Sequence, residues 1–143
     1  MPTADGKLGV AVCGVGWCAS QHIGAFLRNP RTAVTWLYAR DADRARANLA
    51  KYGVALPGAR ITTSYDDVLA ASDVDIVSIA TPNHLHAEQA VAAARAGKHL
   101  LLEKPTGLDA DELVRIRDAV RRSAASARTT EIDRKSTCLN SSH

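Results

Sequence analysis

Apolar positions along the chain fall into short continuous runs, and between them into stretches where they recur every three or four residues. Lys7 to Val12, KLGVAV, is apolar, β-branched and closed by glycine, the character of a buried parallel strand. From Trp17 to Arg28 the apolar residues Ala19, Ile23, Phe26 and Leu27 keep helical spacing, and Asn29 with Pro30 ends the element. Ala33 to Tyr38, AVTWLY, predicts a second strand; Asp41 then caps a helix to about Tyr52, with Gly53 just past its end. A weak strand at Arg60 to Thr62 precedes a short helix capped by Ser64 and carrying Val68 and Leu69. Val74 to Ala80, VDIVSIA, is the strongest strand signal and stops at Thr81 and Pro82. An alanine-rich helix from His84 to Ala96 closes at Gly97, HLLLE from His99 to Glu103 is a fifth strand, and a last helix spans Asp109 to Ala127 with Leu113, Ile116 and Val120 on one face.

Strands and helices thus alternate throughout. Alternation requires crossovers between parallel strands, and these are right-handed almost without exception, so the expected fold is α/β, a doubly wound parallel sheet of the Rossmann type with helices on both faces. Ligands in such folds bind beyond the carboxyl ends of the strands, where the strand order reverses. Every chemically suggestive segment of this chain falls at such an end.

Gly14-Val15-Gly16-Trp17-Cys18-Ala19 is GxGxxA between a predicted strand and a predicted helix, the context in which the pattern signals a dinucleotide. Gly14 permits the tight turn, Gly16 leaves room for a pyrophosphate against the backbone, and small Ala19 lets the helix lie close on the strand. The helix N-terminus then offers free N–H groups and a positive dipole end to the anion. A ligand-free glycine turn is the bland alternative. Cys18 has the place of a reactive low-pKa thiol, although a small residue in a crowded turn is the commoner case.

The group that reads the adenosine ribose belongs about 20 residues further on, where this chain has Ala39-Arg40-Asp41. Ala39 neither accepts from the ribose hydroxyls nor repels a 2'-phosphate, whereas Arg40 is suited to pair with one, which favours NADP over NAD. The competing reading gives Asp41 the ribose; its plainer role is the helix cap.

Thr81-Pro82-Asn83-His84-Leu85-His86 and Glu103-Lys104-Pro105 follow two further strand ends. On local grounds His84 and His86 open a helix as cap or surface residues, and, being two apart, they do not share a face for a metal. Lys104 before Pro105 reads equally as a strand-ending turn. His22, inside the first helix, is read as a packing or surface residue.

Together with GVGWCA and the stretch DVDIVSIATPNHLHAEQAVAAARAGKHLLLEKP, these segments resemble the N-terminal domain of the Gfo/Idh/MocA oxidoreductases, from about Lys7 to Ala127. The resemblance implies that Thr81, Pro82, Asn83 and His86 lie along a nicotinamide cofactor. It further implies that Lys104 sits beside the nicotinamide and the reacting carbon as the catalytic residue, steadied by Glu103. With Gly14, Gly16, Trp17, Cys18, Ala19, Ala39 and Arg40 these form the expected cofactor set, and no metal is expected. The family continues into a second, mostly antiparallel substrate domain carrying an aspartate and a histidine, through which subunits usually associate. That domain is expected to be missing from this chain.

Composition narrows the reading without changing it. In 143 residues there is room for one ordinary domain, and 46% hydrophobic with 23% charged residues is normal globular usage. A net charge of +3, with basic residues scattered, gives no footprint for nucleic acid. Cys13, Cys18 and Cys138 form no CxxC pair, which suits a reducing, cytoplasmic setting, and no apolar run approaches membrane-spanning length. Residues 1–6 are expected to be flexible, 7–127 to form the domain and 128–143 to be a disordered or non-native tail. From Asp133 to His143 the sequence resembles DRKSTRLNSSH, the translation of a common sequencing-adapter oligonucleotide, with Cys138 in place of arginine, and is expected to lie outside the fold.

The expected function is hydride transfer between NADP(H) and a hydroxyl or carbonyl carbon of a sugar, cyclitol or related small molecule, with this chain alone inactive. The alternative is a non-catalytic nicotinamide-nucleotide binding module. A flavin or nucleotide-sugar protein of the same architecture is a third reading that rests on fold analogy.

Overall fold

A computed structural model describes residues 3–138, with side chains described as far as residue 126. The strands β1 (Leu8–Cys13), β2 (Thr32–Tyr38), β3 (Arg60–Thr62), β4 (Ile76–Ile79) and β5 (His99–Leu102) form one sheet in the order β3-β2-β1-β4-β5. All neighbours are parallel. The helices are α1 (Trp17–Arg28), α2 (Ala42–Lys51), α3 (Tyr65–Ala70), α4 (His86–Arg95) and α5 (Ala110–Cys138). The chain winds from β1 outward to β3, returns, and winds from β4 to β5 on the other side, so strand order reverses between β1 and β4. The expected doubly wound α/β fold is the one observed.

Strand alternation builds two cores. Along β1, Val10 and Val12 face α1 and α2 together with Ile23, Leu37 and Leu49. Ala11 and Cys13 face the other way, into a cluster with Val77, Ile79, Val91 and Ile116. All four β1 residues are fully buried, and each valine contributes about 1.5–3 kcal/mol by leaving water.

Helix boundaries follow the expected chemistry. Asp41 Oδ1 accepts from the N–H groups of Asp43 and Arg44 at the start of α2, and Ser64 Oγ from Asp67 N–H at the start of α3. Gly53 and Gly97 take positive φ just past α2 and α4. The expected start of the fourth helix at His84 is corrected: Asn83–Leu85 forms a 3-10 turn, and α4 begins at His86.

Three other expectations change. The apolar face of α5 is narrower than proposed, since Ile116 is buried while Leu113 and Val120 are 47% and 41% exposed. At 100° per residue both are displaced to the same side of Ile116, and the contact with α4 falls on the other side, on Ala119. The helix runs past Ala127 to Cys138, because no glycine or proline follows Gly107 in this stretch. Residues 133–138, expected to lie outside the fold, are therefore helical, and 139–143 of that proposed tail lie outside the described residues. At the other end, within residues 1–6, expected to be flexible, Thr3 and Gly6 are drawn into a turn by Thr3 N–H to Lys7 O and Gly6 N–H to Thr3 O, both 2.8 Å. Among the described residues no helix is long and apolar enough to cross a membrane.

Candidate functional site

The ends of β1 and β4 lie side by side at the reversal point, with Ala80 N–H donating to Cys13 O at 2.8 Å. Gly14 leaves β1 at φ +94, and a Cβ there would stand 2.5 Å from Ala80 O. Glycine is thus required by backbone angle and by the close approach of the two strand ends. Gly16 differs, for its φ is −89 and a Cβ there would meet nothing within 4 Å. Its lack of a side chain serves no packing need inside the protein and instead opens the backbone to a cleft.

Gly16 is also the N-cap of α1, which has no side-chain cap and no acidic residue in its first turn. An anion fits this end, supplying the acceptor that the chain withholds. Asn48 Nδ2 donates to Val15 O at 2.8 Å and pins the middle of the loop. Ala19 is fully buried against Val10 and Val12, holding α1 close to the sheet as its small size requires.

The cleft, about 540 Å³, is walled by Gly14 to Gly16, by Ala39, Arg40 and Asp41 after β2, by Arg44, and by Thr81 and Pro82 after β4. Among the described residues Arg40 and Arg44 make no ion pair across it, while Asp41 Oδ1 is engaged as the α2 cap. Two cations, Arg40 and Arg44, thus stand on this wall, and Asp41 is the cap of α2.

A second cavity of about 220 Å³ is lined by Cys18, Asn83, His86, Glu103 and Lys104, and shares Ala80 and Thr81 with the first. The two adjoin along the end of β4. An elongated ligand lying from Arg40 past the α1 N-terminus reaches Lys104, whose ammonium makes no hydrogen bond or ion pair among the described residues.

Buried polar contacts hold the walls of the smaller cavity. Thr81 Oγ donates to Gln89 Oε1 at 2.6 Å. The His86 ring, 1% exposed, lies 2.8 Å from Thr81 O through Nε2 and 2.8 Å from Pro105 O through Nδ1. His86, expected along the cofactor, lines the smaller cavity and has both ring nitrogens turned to protein carbonyls. His22 Nε2 lies 2.8 Å from Glu103 Oε1, and His22 Nδ1 lies 2.8 Å from the Oγ of buried Ser78. Glu103 Oε2 accepts from Lys104 N–H at 3.1 Å. The hydrogen bond from His22, followed by that of Lys104 N–H, holds the Glu103 carboxyl below its usual range, against partial desolvation.

Of the expected set, Gly14, Gly16, Ala39, Arg40, Thr81 and Pro82 wall the larger cavity, and Cys18, Asn83, His86, Glu103 and Lys104 the smaller. Trp17 is 64% exposed and walls neither, because the first residue of α1 points away from the sheet. Sequence reading missed Arg44, Asn48, Gln89, Ser78 and above all His22. One signal was available: Cys18 and His22, four apart on α1, share a helix face. Cys13 contributes nothing to the site, and burial pushes its thiol up to about 12. Among the described residues no cluster of His, Cys, Asp and Glu is placed to hold a metal.

Comparison with known proteins agrees with this geometry. Residues 8–129 match the family described as oxidoreductase family, NAD-binding Rossmann fold (Gfo/Idh/MocA). Inositol 2-dehydrogenase of Rhodococcus erythropolis is 36% identical over 109 residues, covering 76% of this chain and 31% of that protein. The crystal structure of GenD2 from gentamicin A biosynthesis, in complex with NAD, matches at TM-score 0.73 and 30% identity over 82% of this chain and 32% of that one. A 3-ketoreductase from Actinomadura kijaniata, in complex with TDP-benzene and NADP, matches at TM-score 0.70 and 32% identity over 82% and 36%. The chain spans about a quarter to a third of the length of its relatives, 24% in one case and 31% in another. By this match over most of its length, and by the glycine turn and parallel sheet that carry it, the chain belongs to the Gfo/Idh/MocA oxidoreductase family, in its NAD-binding Rossmann domain.

Proposed function

We propose that this chain is the cofactor half of a cytoplasmic oxidoreductase that moves a hydride between NADP(H) and a hydroxyl or carbonyl carbon of a sugar, cyclitol or related polyol. The observation that carries the reading is the pair of adjoining cavities, running from Arg40 past the uncapped end of α1 to Lys104. Relatives named as sugar and cyclitol dehydrogenases support the substrate class.

The nicotinamide, when bound, supplies or accepts the hydride. The residues of the chain do the rest of what this half contributes. Backbone N–H groups at the start of α1 bind the diphosphate, and the open backbone at Gly16 lets it approach. Arg40 and Arg44 pair with the 2'-phosphate and select NADP over NAD. Thr81, Pro82 and Asn83 line the path between the two ends. Lys104 donates a hydrogen bond to the reacting oxygen of the substrate and stabilises negative charge that develops on it. The residues named here bind cofactor and polarise the reacting oxygen, and none of them is assigned substrate recognition or proton transfer.

Calorimetric titration of NADPH and NADH tests the reading. Tighter binding of NADPH, reversed by Arg40→Glu, is expected; equal affinity for both would remove the NADP assignment, and binding of neither would remove the function.

A further inference from the structure

A chain of polar contacts joins the core of the sheet to the strand end that carries Lys104. Ser78 is fully buried in β4, and strand alternation turns it away from Val77 and Ile79 toward α1. His22 stands on α1 between Ser78 and Glu103, 2.8 Å from each, and its side chain is only 16% exposed. Glu103 in turn accepts from the N–H of Lys104 at 3.1 Å. The two ends of this chain are 26 residues apart in sequence, Ser78 within β4 and Lys104 just past β5.

Serine, histidine and glutamate in line have the form of a hydrolytic triad, but fully buried Ser78 is closed to any substrate. The order of rigidity runs the other way: the hydroxyl is fixed in the sheet and the carboxylate is at the cavity. A carboxylate only accepts, so the His22 nitrogen facing it, Nε2, carries the proton. Nδ1 is then free to accept from Ser78 O–H, and both contacts are satisfied at once.

We propose that His22 is a positioning residue for hydride transfer: anchored on Ser78, it orients Glu103 and so sets the backbone from which Lys104 projects into the smaller cavity. The inference rests on the catalytic role proposed for Lys104. Without the clamp, Glu103 loses its bond to His22 and keeps only exposed contacts such as that from Lys104 N–H, so its carboxylate is able to turn to the Lys104 ammonium and draw it off the substrate oxygen. Displacement of a reacting group by about 1 Å can cost about 100-fold in rate.

The side-chain amides separate the two ring nitrogens. Glutamine places its N–H₂ near the position of Nε2 and keeps the bond to Glu103; asparagine places it near Nδ1 and loses that bond. In the full-length oxidoreductase carrying this domain, His22→Asn is expected to lower kcat by about 10- to 100-fold with KM and cofactor Kd within about threefold, and His22→Gln to recover most of that loss. Equal turnover in both variants and the parent would overturn the clamp, as would equal losses in both accompanied by lower Tm and weaker cofactor binding, the mark of a packing role alone. Lys104→Met, measured beside them, separates the two ideas. Its inactivity with an unaffected His22→Asn enzyme refutes the clamp only, whereas an active Lys104→Met enzyme refutes the role of Lys104 and the clamp with it. A ¹⁵N-histidine NMR spectrum of the unmutated protein gives a test that needs no variant: a protonated Nε2 on His22 is expected, and a bare Nε2 would overturn the proposal.

Discussion

His86 Nδ1 lies 2.8 Å from the carbonyl oxygen of Pro105, tying the first residue of α4 to the turn that follows β5. The same ring reaches Thr81 O through Nε2, so one buried side chain binds together the two loops that wall the smaller cavity. A neutral ring has one N–H and satisfies one carbonyl at a time; the protonated ring bonds both.

Removal of that ring therefore acts on stability first. His86→Ala leaves a cavity in place of a buried ring and removes the partner of the Thr81 and Pro105 carbonyls, and is expected to lower unfolding free energy by about 3 kcal/mol. Urea unfolding of the two proteins measures it, and a loss under about 1 kcal/mol would show that the ring is not a tie.

The two described cysteines should differ sharply in reactivity. Cys18 lines the smaller cavity, whereas Cys13 is fully buried with its thiol pushed up. Iodoacetamide is expected to label Cys18 in the folded protein, to do so more slowly with NADPH present, and to leave Cys13 unlabelled until unfolding. Peptide mass spectrometry reads both sites, and early labelling of Cys13 would contradict its burial.

Cys13 also sets an alkaline limit. Its thiol ionises at about 12 when folded against an ordinary value of 9.0, so above pH 9 the unfolded chain releases a proton that the folded chain keeps. The stability from this group is complete below pH 9 and falls by about 1.4 kcal/mol per pH unit toward pH 12. Cys13→Ala is expected to flatten the decline in unfolding free energy between pH 9 and 11, and an unchanged slope would count against it.

Arg44 gives a charge test independent of Arg40. It stands on α2 and lines the larger cavity together with Arg40. Arg44→Ala is expected to weaken NADPH binding about tenfold and NADH binding less than threefold, in line with loss of one charge-assisted hydrogen bond. Equal weakening of both would assign Arg44 to the shared diphosphate.

The elements that sequence reading recovered are those with local causes. Asp41 and Ser64 announce their helices by capping, Gly53 and Gly97 close theirs by positive φ, and β1 is recognisable as an uninterrupted apolar run. The glycine turn was readable for the same reason, since backbone angle and closeness depend on the residues themselves. The bond from His22 to Glu103 and that from His86 to Pro105 were not, because these partners lie 81 and 19 residues away, and no local pattern encodes a bond between segments brought together by the fold. Leu113 and Val120 were misplaced because helical spacing defines a face without saying which edge of it the neighbour covers. α5 extends past the end of its apolar period because no glycine or proline follows Gly107 to break it.

The central claim is that a nicotinamide dinucleotide lays its diphosphate against the backbone at Gly16, and substitution there separates ligand from fold. Gly16 has φ −89 and open space for a Cβ, so Gly16→Ala meets no clash or backbone strain, and the gain of up to about 1 kcal/mol from stiffening the unfolded chain offsets the poorer fit of alanine as a helix N-cap. Calorimetric titration of NADPH into Gly16→Ala, with its melting temperature recorded alongside, is the direct measurement. A melting temperature within a few degrees of that of the parent is expected, with affinity weakened at least about tenfold; parental affinity in a stable Gly16→Ala protein would place the diphosphate elsewhere.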